Sequence, residues 1–309
     1  MDKKPRILIT GSSGMIGTRL FETLLSKGYD AVGFDRKKNR WASALDRLTI
    51  HGDLLKKQDL KKIPSKIDLI IHLAANARVY NLVVKPDLAL ENMMTMYNVL
   101  EFARTKKIQN IIFSGSREVY SNKGRASSKE HEVDITMCES PYAASKISNE
   151  ALLYAFSKCY GISYIVLRLS NVYGMYDDSD RFFPLMIKKM RAHKDVYVYG
   201  KEKLLDFTYI DDCVAALMQG IKKFSIAKNN TFNIASGKGD LLIKVAGLLK
   251  KRLRSRSRIA IRPARKGEVV QYVADIAKAR KLLRYHPSVS LEDGLDRTIQ
   301  WYAHKQQRA

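Results

Sequence analysis

Short apolar runs alternate with longer amphipathic stretches through the first half of the chain. Runs at residues 6–10, 30–34, 48–50, 68–72, 110–114 and 163–168 are rich in Ile, Leu, Val and Phe and read as strands, with helical spacing between them. Strand and helix in strict alternation predict an α/β fold built on a doubly wound parallel sheet. After Gly174 the pattern breaks into shorter pieces. These are a helix over 182–192, a strand at Val196–Tyr199, a helix over 211–221, a helical stretch at 241–249 and a last helix from Leu291, where Ser290 and Asp293 are spaced as a capping box. No internal repeat and no long linker interrupt the chain.

The first strand runs into Gly11-Ser12-Ser13-Gly14-Met15-Ile16-Gly17, and an amphipathic segment follows. In a strand, glycine loop, helix unit Gly11 allows the tight turn, Gly14 lets backbone approach a pyrophosphate, and Gly17 lets the helix pack on the strand. The helix N-terminus then faces the phosphates with its partial positive charge. A dinucleotide is expected there, with Ser13, Met15 and Ile16 in the cradle. The second strand ends on Asp35, about twenty residues beyond the loop, where a carboxylate accepts from the adenosine ribose and repels a 2′-phosphate. That favours NAD, while Arg36, Lys37 and Lys38 keep NADP open.

Farther on, Ser140-Pro141-Tyr142-Ala143-Ala144-Ser145-Lys146 opens a helix, with Ser140 at the N-cap and Pro141 at the first helical position. Tyr142 and Lys146 are one turn apart and share a face. A free phenol titrates near pH ~10, and a neighbouring ammonium is expected to lower that value so the tyrosine can take a proton at neutral pH.

The order Thr10-Gly11-x-x-Gly14-x-x-Gly17 with Tyr142-x-x-x-Lys146 resembles the extended short-chain dehydrogenase/reductase family, the nucleotide-sugar epimerases and dehydratases, over nearly the whole chain. The resemblance implies a Rossmann-type NAD-binding domain over 1–175 and a smaller C-terminal α/β substrate lobe over 176–309, with residues 205–235 returning to the first domain. It implies an adenine contact from Asp53 and Leu54, and a loop under the dinucleotide from Leu73, Ala74 and Ala75. Asn92 and Ser114 join the cofactor site, and Ser116 is the active-site serine. Asn171, Phe183, Val196, Tyr197 and Arg265 match places where relatives hold the diphosphate, sugar and base. Leu205 stands where relatives carry a second phosphate-binding arginine, with Lys203 nearby as a point charge. Relatives dimerise through the helices carrying Asn92 and Tyr142; here Met93, Met96, Leu100, Ile147 and Leu152 are candidates for that contact.

The implied chemistry has Tyr142 accept a sugar hydroxyl proton while NAD takes the hydride, with Ser116 holding the same oxygen and Lys146 assisting. Return of the hydride to the other face of a 4-keto sugar is C4 epimerisation, most simply of a UDP-sugar. The 4,6-dehydratases of the family place an Asp-Glu pair after the serine or threonine; this chain has Arg117-Glu118, and an arginine cannot protonate a leaving group. Glu118 as a base keeps a dehydratase or a UDP-glucuronate decarboxylase open, and a surface carboxylate paired with Arg117 is its bland alternative.

Composition adds a puzzle. The 309 residues, 46% hydrophobic, suffice for a large core, yet 55 Lys and Arg against 31 Asp and Glu leave a net charge of +24. A sugar nucleotide and a dinucleotide account for only part of it. The run Lys250-Lys251-Arg252-Leu253-Arg254-Ser255-Arg256-Ser257-Arg258 is the best nucleic-acid candidate, but it lacks interleaved aromatics and follows a helical stretch whose dipole suits cations. Specific nucleic-acid binding is therefore not expected, although a non-catalytic RNA- or partner-binding protein on this fold is the alternative of another class. Cys138, Cys159 and Cys213 show neither a disulfide nor a metal pattern and read as core filler in a reducing compartment. No apolar run reaches the about 18 residues that a membrane span needs. A soluble cytoplasmic enzyme with no metal is expected.

Overall fold

The computed structural model describes residues 4–122 and 127–306. Its strands are β1 (Ile7–Thr10), β2 (Ala31–Asp35), β3 (Thr49–His51), β4 (Leu69–His72), β5 (Asn110–Ser116), β6 (Ser163–Leu169), β7 (Asn171–Tyr173), β8 (Val196–Tyr199), β9 (Leu204–Tyr209), β10 (Asn230–Ile234), β11 (Gly239–Leu241), β12 (Ile259–Arg262) and β13 (Gln271–Tyr272). Seven form one sheet in the order β10-β6-β5-β4-β1-β2-β3. Every pairing in it is parallel. The order reverses between β1 and β4, and in such sheets ligands bind beyond the carboxyl ends of the strands at that point.

β1 and β4 are buried throughout, so helices must cover both sheet faces. One core cluster joins the Met15–Ser26 and Ile210–Lys222 helices to the sheet, and another packs the Asp87–Thr105 and Pro141–Tyr160 helices on the opposite side. Met96 and Leu100 are fully buried in that second core, so they serve the protomer itself; the exposed apolar side chains of the Asp87–Thr105 helix are Leu90 and Met94.

β7, β9, β11 and β13 form a small sheet, and β8 pairs with β12. Asp206 on β9 ties this region together, accepting from Ser236 N (2.8 Å), Gly237 N (2.9 Å) and Ala274 N (3.3 Å). Beneath the sheet ends, Arg168 makes a two-pronged pair with Glu150 (2.9 and 2.7 Å), and both side chains are buried. The capping of the last helix follows its sequence: Asp293 N donates to Ser290 Oγ at 3.1 Å.

The Arg/Ser run is folded into the protein. The Leu242–Arg252 helix ends on Lys250, Lys251 and Arg252, after which Ser255 and Ser257 turn inward while Arg254, Arg256 and Arg258 stay exposed. Ser255 Oγ donates to Met190 O at 2.6 Å, which anchors the segment ahead of β12. Of the cysteines only Cys213 is core filler; Cys159 is exposed and Cys138 half-buried. Among the described residues no helix is long and apolar enough to cross a membrane, and no cluster of His, Cys, Asp and Glu could hold a metal ion.

Candidate active site

A cavity of about 500 Å³ opens at the carboxyl ends of β1, β4 and β5. Gly11, Gly14, Met15, Ile16, Gly17, Leu73 and Ala75 line it on one side, and Ser114, Ser116, Glu118, Tyr142, Lys146, Asn171, Phe183, Tyr197 and Arg265 line the rest. Segments from both halves of the chain therefore converge on one space.

The glycine loop has the shape of a dinucleotide cradle. Gly11 adopts φ +76°, a left-handed conformation that a side chain would strain. A Cβ on Gly17 would sit 2.1 Å from the carbonyl oxygen of Gly11, so only glycine lets the Met15–Ser26 helix come this close. Asp35 borders the loop at the end of β2, where its Oδ2 accepts from Ser13 N at 3.0 Å and its Oδ1 from Lys37 N at 2.9 Å. The residues present thus fit a dinucleotide.

Several expected residues lie outside the lining of this cavity. Ser13, Asp35, Arg36, Asp53, Leu54, Ala74, Asn92 and Val196 are not among its lining residues. Ala74 backbone packs against Gly11. Arg36 is exposed and reaches Asn76 Oδ1 (3.3 Å), Asp53 Oδ1 accepts from Leu55 N (3.0 Å), and Leu54 is buried in the core. Asn92 is a bracket: it accepts from Asn76 N (2.7 Å), and its amide donates to Asn76 O (3.1 Å) and Ser145 Oγ (3.3 Å), locking the loop after β4 to the tyrosine helix. Val196 points into the core instead of the sugar site, because alternation along β8 turns Tyr197 and Tyr199 outward to the cavity and Val196 and Val198 inward.

The helix carrying Tyr142 begins as its sequence implies, with Ser140 Oγ accepting from Ala143 N at 3.2 Å and Pro141 in the first turn. Tyr142 lines the cavity beside Ser116, whose Oγ accepts from Glu118 N at 3.2 Å. Lys146 Nζ donates to Ser114 O at 2.8 Å and lies 4.9 Å from the Phe113 ring centre and 5.8 Å from that of Tyr142. Burial dominates both titrations. It raises the Tyr142 phenol, which Ser116 then pulls back, and it pushes Lys146 down to about 8. The expected lowering of Tyr142 by Lys146 is thus not found: burial holds the phenol above its ordinary value and the lysine below its own.

Glu118 and Arg117 are buried together, not paired on the surface, with Arg117 Nη2 2.7 Å from Glu118 Oε1. Burial raises the Glu118 carboxyl, against the opposing pull of Arg117 and Lys203. Arg117 Nε also donates to Asn171 Oδ1 (3.1 Å), while Asn171 Nδ2 donates to Asp206 O (2.9 Å), so both ends of that amide are engaged within the protein. Lys203 is buried and paired with Glu268 at 2.6 Å, so its charge is already committed. Arg265 stacks 4.0 Å from the Tyr199 ring centre.

Sequence reasoning overlooked Arg78, Tyr80, Arg181 and Glu268, which also line the cavity, while Tyr199 lies in the Val196–Tyr199 segment that the resemblance pointed to. Arg181 directly precedes Phe182-Phe183-Pro184. Arg78 has no comparable local signal.

A glycine cradle and a Ser-Tyr-Lys set sharing one cavity on a doubly wound sheet define a dinucleotide-dependent enzyme class of the short-chain dehydrogenase/reductase kind. Residues 7–235 match the NAD dependent epimerase/dehydratase family, and the chain belongs to it. It is similar to the UDP-glucuronate 4-epimerase of Thermodesulfobacterium geofontis, with 28% identity over 95% of each chain. Its fold matches the UDP-glucose 4-epimerase of Thermotoga maritima solved with UDP-glucose (TM-score 0.90, 28% identity, 97% of this chain and 99% of that one). It also matches the UDP-glucuronic acid 4-epimerase of Bacillus cereus in complex with UDP-glucuronic acid and NAD (TM-score 0.87, 28% identity, with the same coverage).

Proposed function

We propose that the chain is a UDP-sugar 4-epimerase that uses NAD and works as a cytoplasmic homodimer. The observation that carries this reading is the convergence of Ser116, Tyr142 and Lys146 with the glycine loop on one cavity. Gly11, Gly14 and Gly17 would hold the pyrophosphate and Asp35 the adenosine ribose; NAD bound there supplies a reversible hydride acceptor.

The chain's own part is proton handling. Tyr142 Oη takes the proton of the sugar C4 hydroxyl as that carbon is oxidised, and Ser116 Oγ holds the same oxygen as it becomes a carbonyl. Lys146 sits behind the tyrosine, anchored on Ser114 O, and would hold the nicotinamide ribose. When the sugar has turned, Tyr142 returns the proton to the oxygen on the inverted carbon.

A second reading, elimination or decarboxylation with Glu118 as base, is favoured by one observation: a buried carboxyl with a raised pKa lines the cavity. Against it, one carboxylate oxygen is held by Arg117, and Arg117 occupies the place where elimination needs an acid.

The test is a mass-resolved assay with NAD on UDP-glucose, UDP-galactose, UDP-N-acetylglucosamine and UDP-glucuronate. A new isomer of unchanged mass is expected, and Tyr142→Phe should lower kcat by roughly 10²- to 10⁴-fold while NAD stays bound. Loss of water or carbon dioxide would transfer the assignment to Glu118. Sedimentation of the wild type against Met94→Glu reads the dimer, for which the exposed Leu90 and Met94 offer an apolar contact.

A further inference from the structure

The residues that relatives use around the diphosphate are altered or occupied in this chain. Leu205 lines the cavity without a charge, Lys203 is tied to Glu268, and the Asn171 amide is engaged at both ends. Of the residues implied by resemblance, that leaves Arg265.

Besides Arg117, which is held by Glu118, two further arginines reach the same cavity from unrelated segments. Arg78 follows β4, and Arg181 immediately precedes the Phe182–Arg191 helix. Arg181 Nη2 donates to Ala77 O at 3.2 Å, which places its guanidinium against the loop that carries Arg78. Tyr199 and Tyr80 flank the Arg265 guanidinium, at 4.0 and 5.2 Å from their ring centres. The counter-charge is thin. Arg78 pairs with Asp180, whose side chain is 71% exposed, and Glu268 and Asp177 act on Arg78 from farther off; Arg265 lies 3.9 Å from Glu268, which already holds Lys203. Among the described residues no carboxylate lies within ion-pair distance of Arg181. After burial, the charges of Arg181 and Arg265 are the main influences pressing the Arg78 guanidinium down, so the three sense one another. Like charges gathered at a cavity are unfavourable until an anion neutralises them, and a diphosphate offers the acceptors that planar guanidinium forks match.

We propose that Arg78 and Arg181, together with Arg265, form the diphosphate clamp for the nucleotide-sugar substrate, replacing the charge absent at Leu205. This rests on the nucleotide-sugar reading above.

The test is calorimetric titration of UDP, UMP and NAD into the wild type, Arg78→Ala, Arg181→Ala, Arg265→Ala and the corresponding lysine variants. Each alanine variant should bind UDP about ten- to a hundredfold more weakly, from the loss of a charged, two-pronged hydrogen bond. UMP should weaken less, NAD affinity should hold, and lysine should restore part of the loss. If Arg78→Ala and Arg181→Ala bind UDP like the wild type while Arg265→Ala does not, the clamp is overturned and the reading survives. If NAD weakens instead of UDP, the arginines serve the dinucleotide and the proposal fails. A wild type that binds neither UDP nor a UDP-sugar overturns the underlying reading and this one with it.

Discussion

Replacing Lys146 with methionine should make the cofactor-free protein more stable at pH 7 while removing its activity. Burial holds the folded-state pKa of Lys146 at about 8, against an ordinary 10.5. Below pH 8 both the folded and the unfolded chain carry the proton, and the folded chain bears the full cost of a buried ammonium. At about 1.4 kcal/mol per pH unit that cost is on the order of 3 kcal/mol. Methionine fills similar space without it, but the Ser114 carbonyl loses its 2.8 Å donor and Phe113 loses a cation 4.9 Å from its ring centre. Those losses offset about 1–2 kcal/mol. A net gain of roughly 1–2 kcal/mol remains, of the size expected when a functional strain is relieved. Urea unfolding of the two proteins from pH 7 to 10.5, both free of NAD, provides the comparison. Between pH 8 and 10.5 the unfolded wild type binds more protons than the folded one, so wild-type stability rises with pH and the gap between the two proteins closes. A variant less stable than wild type at pH 7, or parallel pH profiles, would refute the claim that burial, and not pairing, governs this lysine.

Two further expectations concern the frame around the site. Breaking the buried Arg168–Glu150 pair by Arg168→Met or Glu150→Leu alone should cost about 3–5 kcal/mol, while the double variant should recover much of the loss; a double-mutant cycle with no coupling would show that the pair is structurally idle. Gly17→Ala places a methyl 2.1 Å from a backbone oxygen that has no rotamer to yield, so the loop must open and bound NAD, read by absorbance after acid release, should fall to a small fraction of wild type. NAD at wild-type stoichiometry would contradict the cradle.

What could be read from the sequence was local. The period of the apolar runs specifies strand and helix wherever one element is buried on both faces, and β1, β2, β4, β5 and β6 lie within two residues of the runs that announced them. The glycine loop and the spacing of Tyr142 and Lys146 are equally local, since a turn and a helical face are set by residues at most seven apart. The N-cap at Ser140 and the box at Ser290 belong to the same class.

Tertiary structure decided the rest, because charge state and contact depend on what arrives from far along the chain. Residues 78, 181 and 265 share no period, and only the convergence of loops at one end of the sheet brings their charges to one cavity. Neighbours in sequence do not reveal that Arg117 and Glu118 are buried, nor that Lys203 is tied to Glu268 and Asn171 is engaged at both ends. Val196 shows the same division: its strand was legible, but its facing was not, since the side chain that meets the core depends on which sheet face packs inward. Desolvation is a property of the surrounding fold and has no linear code, which is why the proton on Lys146 could be assigned only after burial was known.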